Sequence, residues 1–425
     1  MSKFVKYLMN SDEKKNISRA SFWNMIASVL NSVTSAVLLF FITRFCGLNT
    51  AGIFSIASAI GYQVLSLGNF GVRSFHASDV KKDYSFSDYF YMRVFSYILL
   101  LIMLFYYAFC SGYTLDKSLT VLSFGLFKSV DVIEDLFHGE YHRNSRLDIG
   151  AILLTIRYFI SIIAFIVLII VTKDIFISSL ASFALTLGIF VITNKNFIQI
   201  FVQEKLKFNF NKFKSLLVIL VPLVLTNYIK LYITNAPKYA IDECLGNVEQ
   251  AYFNVLFMPV FIISLLSDII FRPYIPLFSK EWMDNNFSKF TKMLVKQLVV
   301  IACITVFIMF GGYVLGLRLL EIVYGVSLDG YMGTLMFLLL GGGINTYCTF
   351  LILVMTIQRE QNKMAAVNLV DLIICLMISK PLVSTFGING AMLIFVTLNV
   401  IPAVIYTIIV IRAMKKRKKE SMVRI

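Results

Sequence analysis

Residues 215–246 read SLLVILVPLVLTNYIKLYITNAPKYAIDECLG: an apolar run long enough to cross a bilayer, with Lys230 deep inside it and an exit through Asn235, Pro237 and Lys238. A charge near hydrocarbon costs about 2.5–3.5 kcal/mol even on lenient insertion scales, so an intramembrane Lys is expected to face a bundle interior or a wet cavity. The stretch therefore reads as one wall of a pathway through a membrane.

The rest of the chain supports that reading. Its 425 residues are 58% hydrophobic and 15% charged, and the mean hydropathy is +0.80. Apolar segments of about 20 residues, each able to span the hydrocarbon as a helix, recur along the whole length. Twelve are predicted; among them the first covers 20–44, the fourth 118–137, the fifth 149–172, the seventh 215–236, the tenth 330–356, the eleventh 364–386 and the last 388–412. A basic connection separates two sets of six, giving an amino-terminal lobe at 1–200, a linker at 201–214 and a carboxy-terminal lobe at 215–425.

Lys and Arg collect on alternate loops, which fixes orientation because cytoplasmic loops retain them. One side holds the amino tail (Lys3, Lys6), the second loop (Arg73, Lys81, Arg93), the fourth (Arg143, Arg146) and the central loop. The eighth loop (Arg272, Lys280) and the carboxyl tail (Lys415, Lys416, Arg417, Lys418, Lys419, Arg424) lie on that side too. Both termini are thus predicted to be cytoplasmic. The net charge of +15 follows from topology and from anionic lipid headgroups, and nucleic acid is not expected as a partner.

The six cysteines have no metal-ligand spacing and read as small apolar packers. A disulfide between Cys46 and Cys244 is open but not expected. His76, His138 and His142 fall in predicted cytoplasmic loops.

Polar residues inside the spans are the candidate site. Asn24, Ser28, Asn31 and Ser35 share one face of the first span, which suits either a wet cleft or close helix packing. Lys128, Asp131 and Asp135 share a face of the fourth, with Glu134 to one side, and the fifth brings Arg157 to similar depth. Pairing of Asp131 with Arg157 or Lys128 is the structural reading; a proton or sodium site, or phosphate contacts, is the functional one. The eleventh span carries Asn368 and Asp371. In the tenth, Gly341, Gly342 and Gly343 mark a place where a helix could bend.

The two halves echo each other. Phe41 to Phe54, FITRFCGLNTAGIF, and Tyr239 to Phe253, YAIDECLGNVEQAYF, leave the first and seventh spans with Gly47 and Gly246 a distance of 199 residues apart. Such repeats are a recurrent transporter plan with the substrate between them.

Taken in order, the twelve spans, GVRSFHASD at 71–79, NAPKYAID at 235–242, RPYIP at 272–276 and FGINGA at 386–391 resemble the Wzx-like oligosaccharide flippases. These form the polysaccharide-transporter branch of the multidrug/oligosaccharidyl-lipid/polysaccharide exporter superfamily. The resemblance covers essentially the whole chain and rests on weak motifs in the right order. It implies an all-α polytopic protein of a bacterial plasma membrane, with twelve transmembrane helices in two pseudo-symmetric six-helix lobes around a central cleft. The implied activity is alternating access that moves polyprenyl-diphosphate-linked oligosaccharide to the outer leaflet, with no enzymatic step and no cofactor besides a coupling proton or sodium ion. Membrane lipids and polysaccharide polymerase or assembly proteins are the implied partners.

A diphosphate and a polar headgroup need cations and a hydrated lining. Lys230 and Arg157, then Lys128 and Lys238, are the expected diphosphate contacts, with Asn31, Tyr228, Tyr232 and Asn235 at the sugar. Asp131, Asp371 and Asp135 are the expected ion-coupling acids. Two other functions compete: an exporter of drugs or organic cations, which would favour an acidic, aromatic cleft, and a membrane-embedded glycosyltransferase or polymerase. The latter needs a large extramembrane loop, and the outer loops here are short.

Overall fold

A computed structural model describes residues 13–79, 82–202, 205–271 and 274–423. Lys3, Lys6, Lys81, Arg272, Pro273 and Arg424, used above, lie outside the described residues. The helices are α1 (Glu13–Cys46), α2 (Leu48–Asn69), α3 (Val72–Ser78), α4 (Phe86–Cys110), α5 (Leu115–Arg143), α6 (Leu147–Thr172), α7 (Ile175–Phe201) and α8 (Phe210–Cys244). There follow α9 (Asn247–Phe271), α10 (Ile275–Met283), α11 (Phe287–Gly311), a π turn (Gly312–Gly316), α12 (Leu317–Tyr324), α13 (Met332–Ile357), α14 (Gln361–Phe386) and α15 (Ile388–Val423).

Among the described residues, ten helices are long and apolar enough to cross a membrane. Two more are long: α5, with 29 residues, is too charged to qualify, and α9, with 25, qualifies only as the shorter apolar piece Asn247–Ile263. The chain is a multi-pass, all-helical membrane protein. It divides into two compact units, Met1–Leu231 and Tyr232–Ile425, so the division falls inside α8.

In the first unit α5 is the central helix, flanked by α2, α3, α4, α6 and α7, while α1 packs along α6. Close approach to α5 requires small residues: a Cβ on Gly68 would meet Val132 at 2.7 Å, and one on Gly139 would meet His76 Nδ1 at 2.6 Å. The amino-terminal part of α8 belongs here. Leu216, Leu220 and Val224 pack on Leu67, Phe70, Tyr89 and Leu136, and the Tyr228 and Tyr107 hydroxyls are 2.8 Å apart.

In the second unit the central helix is α13, packed against α9, α11 and α15. The triple glycine makes this possible. A Cβ on Gly341 would sit 2.9 Å from Phe395 of α15, on Gly342 2.8 Å from Val260 of α9, and on Gly343 2.4 Å from Thr305 of α11. Instead of a bend, the glycines give three neighbours a close approach, and α13 runs unbroken through them.

The helix of the seventh span does not end at Asn235: α8 stays helical through Pro222 and Pro237 to Cys244. The histidines are not in loops: His76 lies in α3, and His138 and His142 in α5. All six cysteines are free thiols.

Candidate functional site

The charges of α5 meet cations from three neighbouring helices. Asp131 Oδ2 is 2.8 Å from Lys128 Nζ and its Oδ1 accepts from Arg157 Nη2 at 2.6 Å. Arg157 Nε donates to Glu134, so one guanidinium from α6 holds two carboxylates on successive turns of α5. Both ion pairs considered for Asp131 are formed. Lys128 Nζ also stands 5.3 Å from the Tyr62 ring and 5.4 Å from that of Tyr158. Arg157 is 1% exposed, which is tolerable only because its charge and its donors are satisfied.

One turn on, Asp135 accepts from Arg93 Nη2 of α4 at 2.6 Å and lies 3.6 Å from Arg73 of α3. Arg93, read above as a loop cation, is two turns inside α4 and also donates to the Gly68 carbonyl at 2.7 Å. Below it, Glu140 accepts from Arg143 at 2.7 Å and stands 2.9 Å from His76 Nε2. The His76 ring stacks on Tyr89 at 4.0 Å, and burial holds its pKa below the usual imidazole value. The segment GVRSFHASD thus clamps the end of α5.

The other candidates lie outside this network. On α1, Asn24, Asn31 and Ser35 are half-buried and Ser28 is exposed, and Asn31 Oδ1 has no hydrogen-bond partner among the described residues. On α8, Tyr228 is anchored by Tyr107 and by Gln63, which donates to its carbonyl at 2.9 Å; Lys230, two residues on, points from a different face and is half-buried. These belong to the first unit.

The second unit contributes Tyr232, Asn235, Lys238 and Asp371. Tyr232 and Tyr239 have rings 5.3 Å apart, and Asn235 is buried. Lys238 is 7% exposed, with Nζ 5.6 Å from the Phe257 ring of α9; no carboxylate pairs with it among the described residues. One turn before Phe257, the buried Asn254 has an Oδ1 without a partner among the described residues. On α14, Asp371 is 3% exposed with Oδ1 likewise unpartnered, while Asn368 accepts from Tyr406 at 2.9 Å.

Sequence reasoning missed Glu134 and Arg93 as members of the network. The signal for Glu134 was its place three residues after Asp131; for Arg93 there was none, because which cation reaches α5 is decided by tertiary packing. No cluster of three or more metal-binding side chains occurs among the described residues.

No family model matches the chain. It is 21% identical over 302 residues, 71% of this chain and 75% of that protein, to the capsular polysaccharide biosynthesis protein CapF of Staphylococcus aureus. Solved structures match over almost the full length. A multidrug resistance MATE family transporter of the MOP superfamily, in an inward-facing conformation, superposes with a TM-score of 0.71 at 10% identity, covering 91% of this chain and 96% of that one. An outward-facing member gives 0.60 at 12%, covering 99% of each. A MOP superfamily transporter from Pyrococcus furiosus, described as having a binding pocket of reverse polarity, gives 0.57 at 13%, covering 98% of each. Over nearly its whole length the chain has the fold of these MATE transporters of the MOP superfamily.

Proposed function

We propose that this chain is a flippase. It carries an oligosaccharide linked to a polyprenyl diphosphate from the cytoplasmic to the outer leaflet of a bacterial plasma membrane, by ion-coupled alternating access. The twelve spans are the ten apolar helices together with α5 and α9. One observation carries the reading: a capsular-polysaccharide relative aligns over 302 residues of a chain with a transporter fold.

The buried charges agree with such a cargo. Lys238 is a buried cation without a carboxylate partner among the described residues, which attracts a diphosphate and repels an organic cation. Lys230 lies just over two turns earlier on the same helix, with Tyr228, Tyr232 and Asn235 available to the sugar and Asn31 on α1. Lys128 and Arg157 are held by Asp131 and Glu134, and Asp135 by Arg93, so we assign that network to holding the first unit together. Coupling, by proton or sodium ion, falls to Asp371.

The test is reconstitution in proteoliposomes with a labelled polyprenyl-diphosphate saccharide. Wild type should move it between leaflets, Lys238→Met should slow movement at least about ten-fold, the loss of one charge-assisted contact, and Asp371→Asn should alter the response to a proton or sodium gradient. No movement by wild type under either gradient would reject the proposal. A second reading, export of an organic cation, is favoured by the oxygen of Asp371 that has no hydrogen-bond partner among the described residues; it requires Asp371→Asn to abolish efflux of such a cation and Lys238→Met to leave it intact.

A further inference from the structure

A groove of about 1180 Å³ opens in the second unit between α11, α13 and α15, larger than the roughly 300–1,000 Å³ of ordinary ligand pockets. Its walls are apolar: Leu294 and Leu298 come from α11, and Val410 and Met414 from α15. Tyr347 and Thr407 form its floor, their hydroxyls paired at 2.6 Å and therefore making no polar demand on an occupant. The rim is of opposite character, with Lys292 on α11, Lys415 and Lys418 on α15, and Asn286 in the turn before α11.

The register of α15 produces this arrangement. Thr407, Val410, Ile411, Met414, Lys415 and Lys418 follow the spacing of one helical face, so the stripe that is apolar in the membrane becomes basic where the helix emerges. The neighbouring Arg417 is spent elsewhere. Its guanidinium lies 4.6 Å over the Trp282 ring and donates from Nε to Asn285 Oδ1 at 3.0 Å, bracing the end of α15 against the turn between α10 and α11. Lys289 pairs with Glu281 at 2.5 Å and Lys416 lies 3.9 Å from Glu420. Lys292 and Lys415 form no ion pair among the described residues.

The geometry points to a binding site for one anionic phospholipid in the leaflet nearest the carboxyl terminus, with an acyl chain between α11 and α15 and the phosphate among Lys292, Lys415 and Lys418. Long apolar walls beneath a cationic rim match a molecule that is apolar along its length and anionic at one end, and match neither a soluble anion nor a zwitterionic lipid as well. The site lies on the second unit alone and does not depend on the flippase reading. A lipid seated here ties α11 to α15, the outer neighbours of the central helix α13.

Native mass spectrometry of the full-length protein in neutral detergent tests it, with phosphatidylglycerol and phosphatidylcholine of identical chains as probes. The first phosphatidylglycerol should bind at least about ten-fold more tightly than phosphatidylcholine. At about five-fold per lysine near a charged headgroup, Lys292→Gln/Lys415→Gln/Lys418→Gln should lose on the order of 100-fold, and Lys416→Gln/Lys419→Gln, which removes charge outside the groove's lining, far less. Val295→Trp, which fills the groove with every lysine in place, should also weaken phosphatidylglycerol binding. Equal retention of the two lipids, equal losses in the two lysine variants, unchanged binding in Val295→Trp, or displacement by glycerol 1-phosphate as effective as by phosphatidylglycerol would each overturn the assignment.

Discussion

Arg157 is buried and serves Asp131 and Glu134 at once. Removing one partner from a buried network strands the others, so Arg157→Ala should cost about 3–5 kcal/mol, read as a lower melting temperature of the detergent-solubilised protein. Arg157→Lys should recover only part, since an ammonium lacks the planar fork that reaches two carboxylates. His76 makes a different prediction. It is buried with its pKa depressed by that burial, whereas in the unfolded chain it protonates near 6.5. The unfolded state therefore binds more protons as pH falls below about 6.5, and folding stability drops there. His76→Gln keeps a donor for Glu140 and should flatten the difference in melting temperature between pH 7.5 and pH 5.5; an equal slope in the variant would show that other groups carry it. Asp131 and its two possible partners were legible in the sequence because helical spacing and depth are local facts. Arg93 was not, because its reach to Asp135 is set by how α4 packs on α5; Glu134 was visible on the same helix, but not that it shares Arg157 with Asp131.

Among the helices, α5 and α13 are central to their units, and each needs a special composition. The charges of α5 are paired by its neighbours, and its glycines admit them. In α13 the Gly343 position faces Thr305, a β-branched residue fixed by its own bond to the Ile301 carbonyl at 2.8 Å. Gly343→Ala should therefore destabilise despite gaining about 1 kcal/mol of helix propensity, since overpacking costs about 1–3 kcal/mol. Thr305→Ala in the same chain should restore the melting temperature; failure to do so would place the strain elsewhere. The spans themselves were legible from apolar length alone. The end of α8 was not: Asn235, Pro237 and Lys238 have the composition of a helix end, but the helix continues past them to Cys244. The triple glycine suggested a hinge, and only the neighbouring helices reveal it as a contact surface.

For the whole molecule, the proposal of a carrier for a lipid-linked, anionic saccharide joins a transporter-like fold, a capsular-polysaccharide relative and a buried Lys238 that no carboxylate pairs with among the described residues. The membrane class and helical architecture could be read from composition, while the cargo could be approached only through the motifs at 71–79, 235–242, 272–276 and 386–391, none decisive alone. The most direct measurement is made in cells lacking this chain, by isolating polyprenyl-linked oligosaccharide and assaying which leaflet holds it with a membrane-impermeant modifying reagent. Accumulation in a reagent-protected leaflet, relieved by the wild-type chain and not by Lys238→Met, is the result predicted here. Unchanged levels and exposure of lipid-linked saccharide, with wild-type surface polysaccharide, would contradict it.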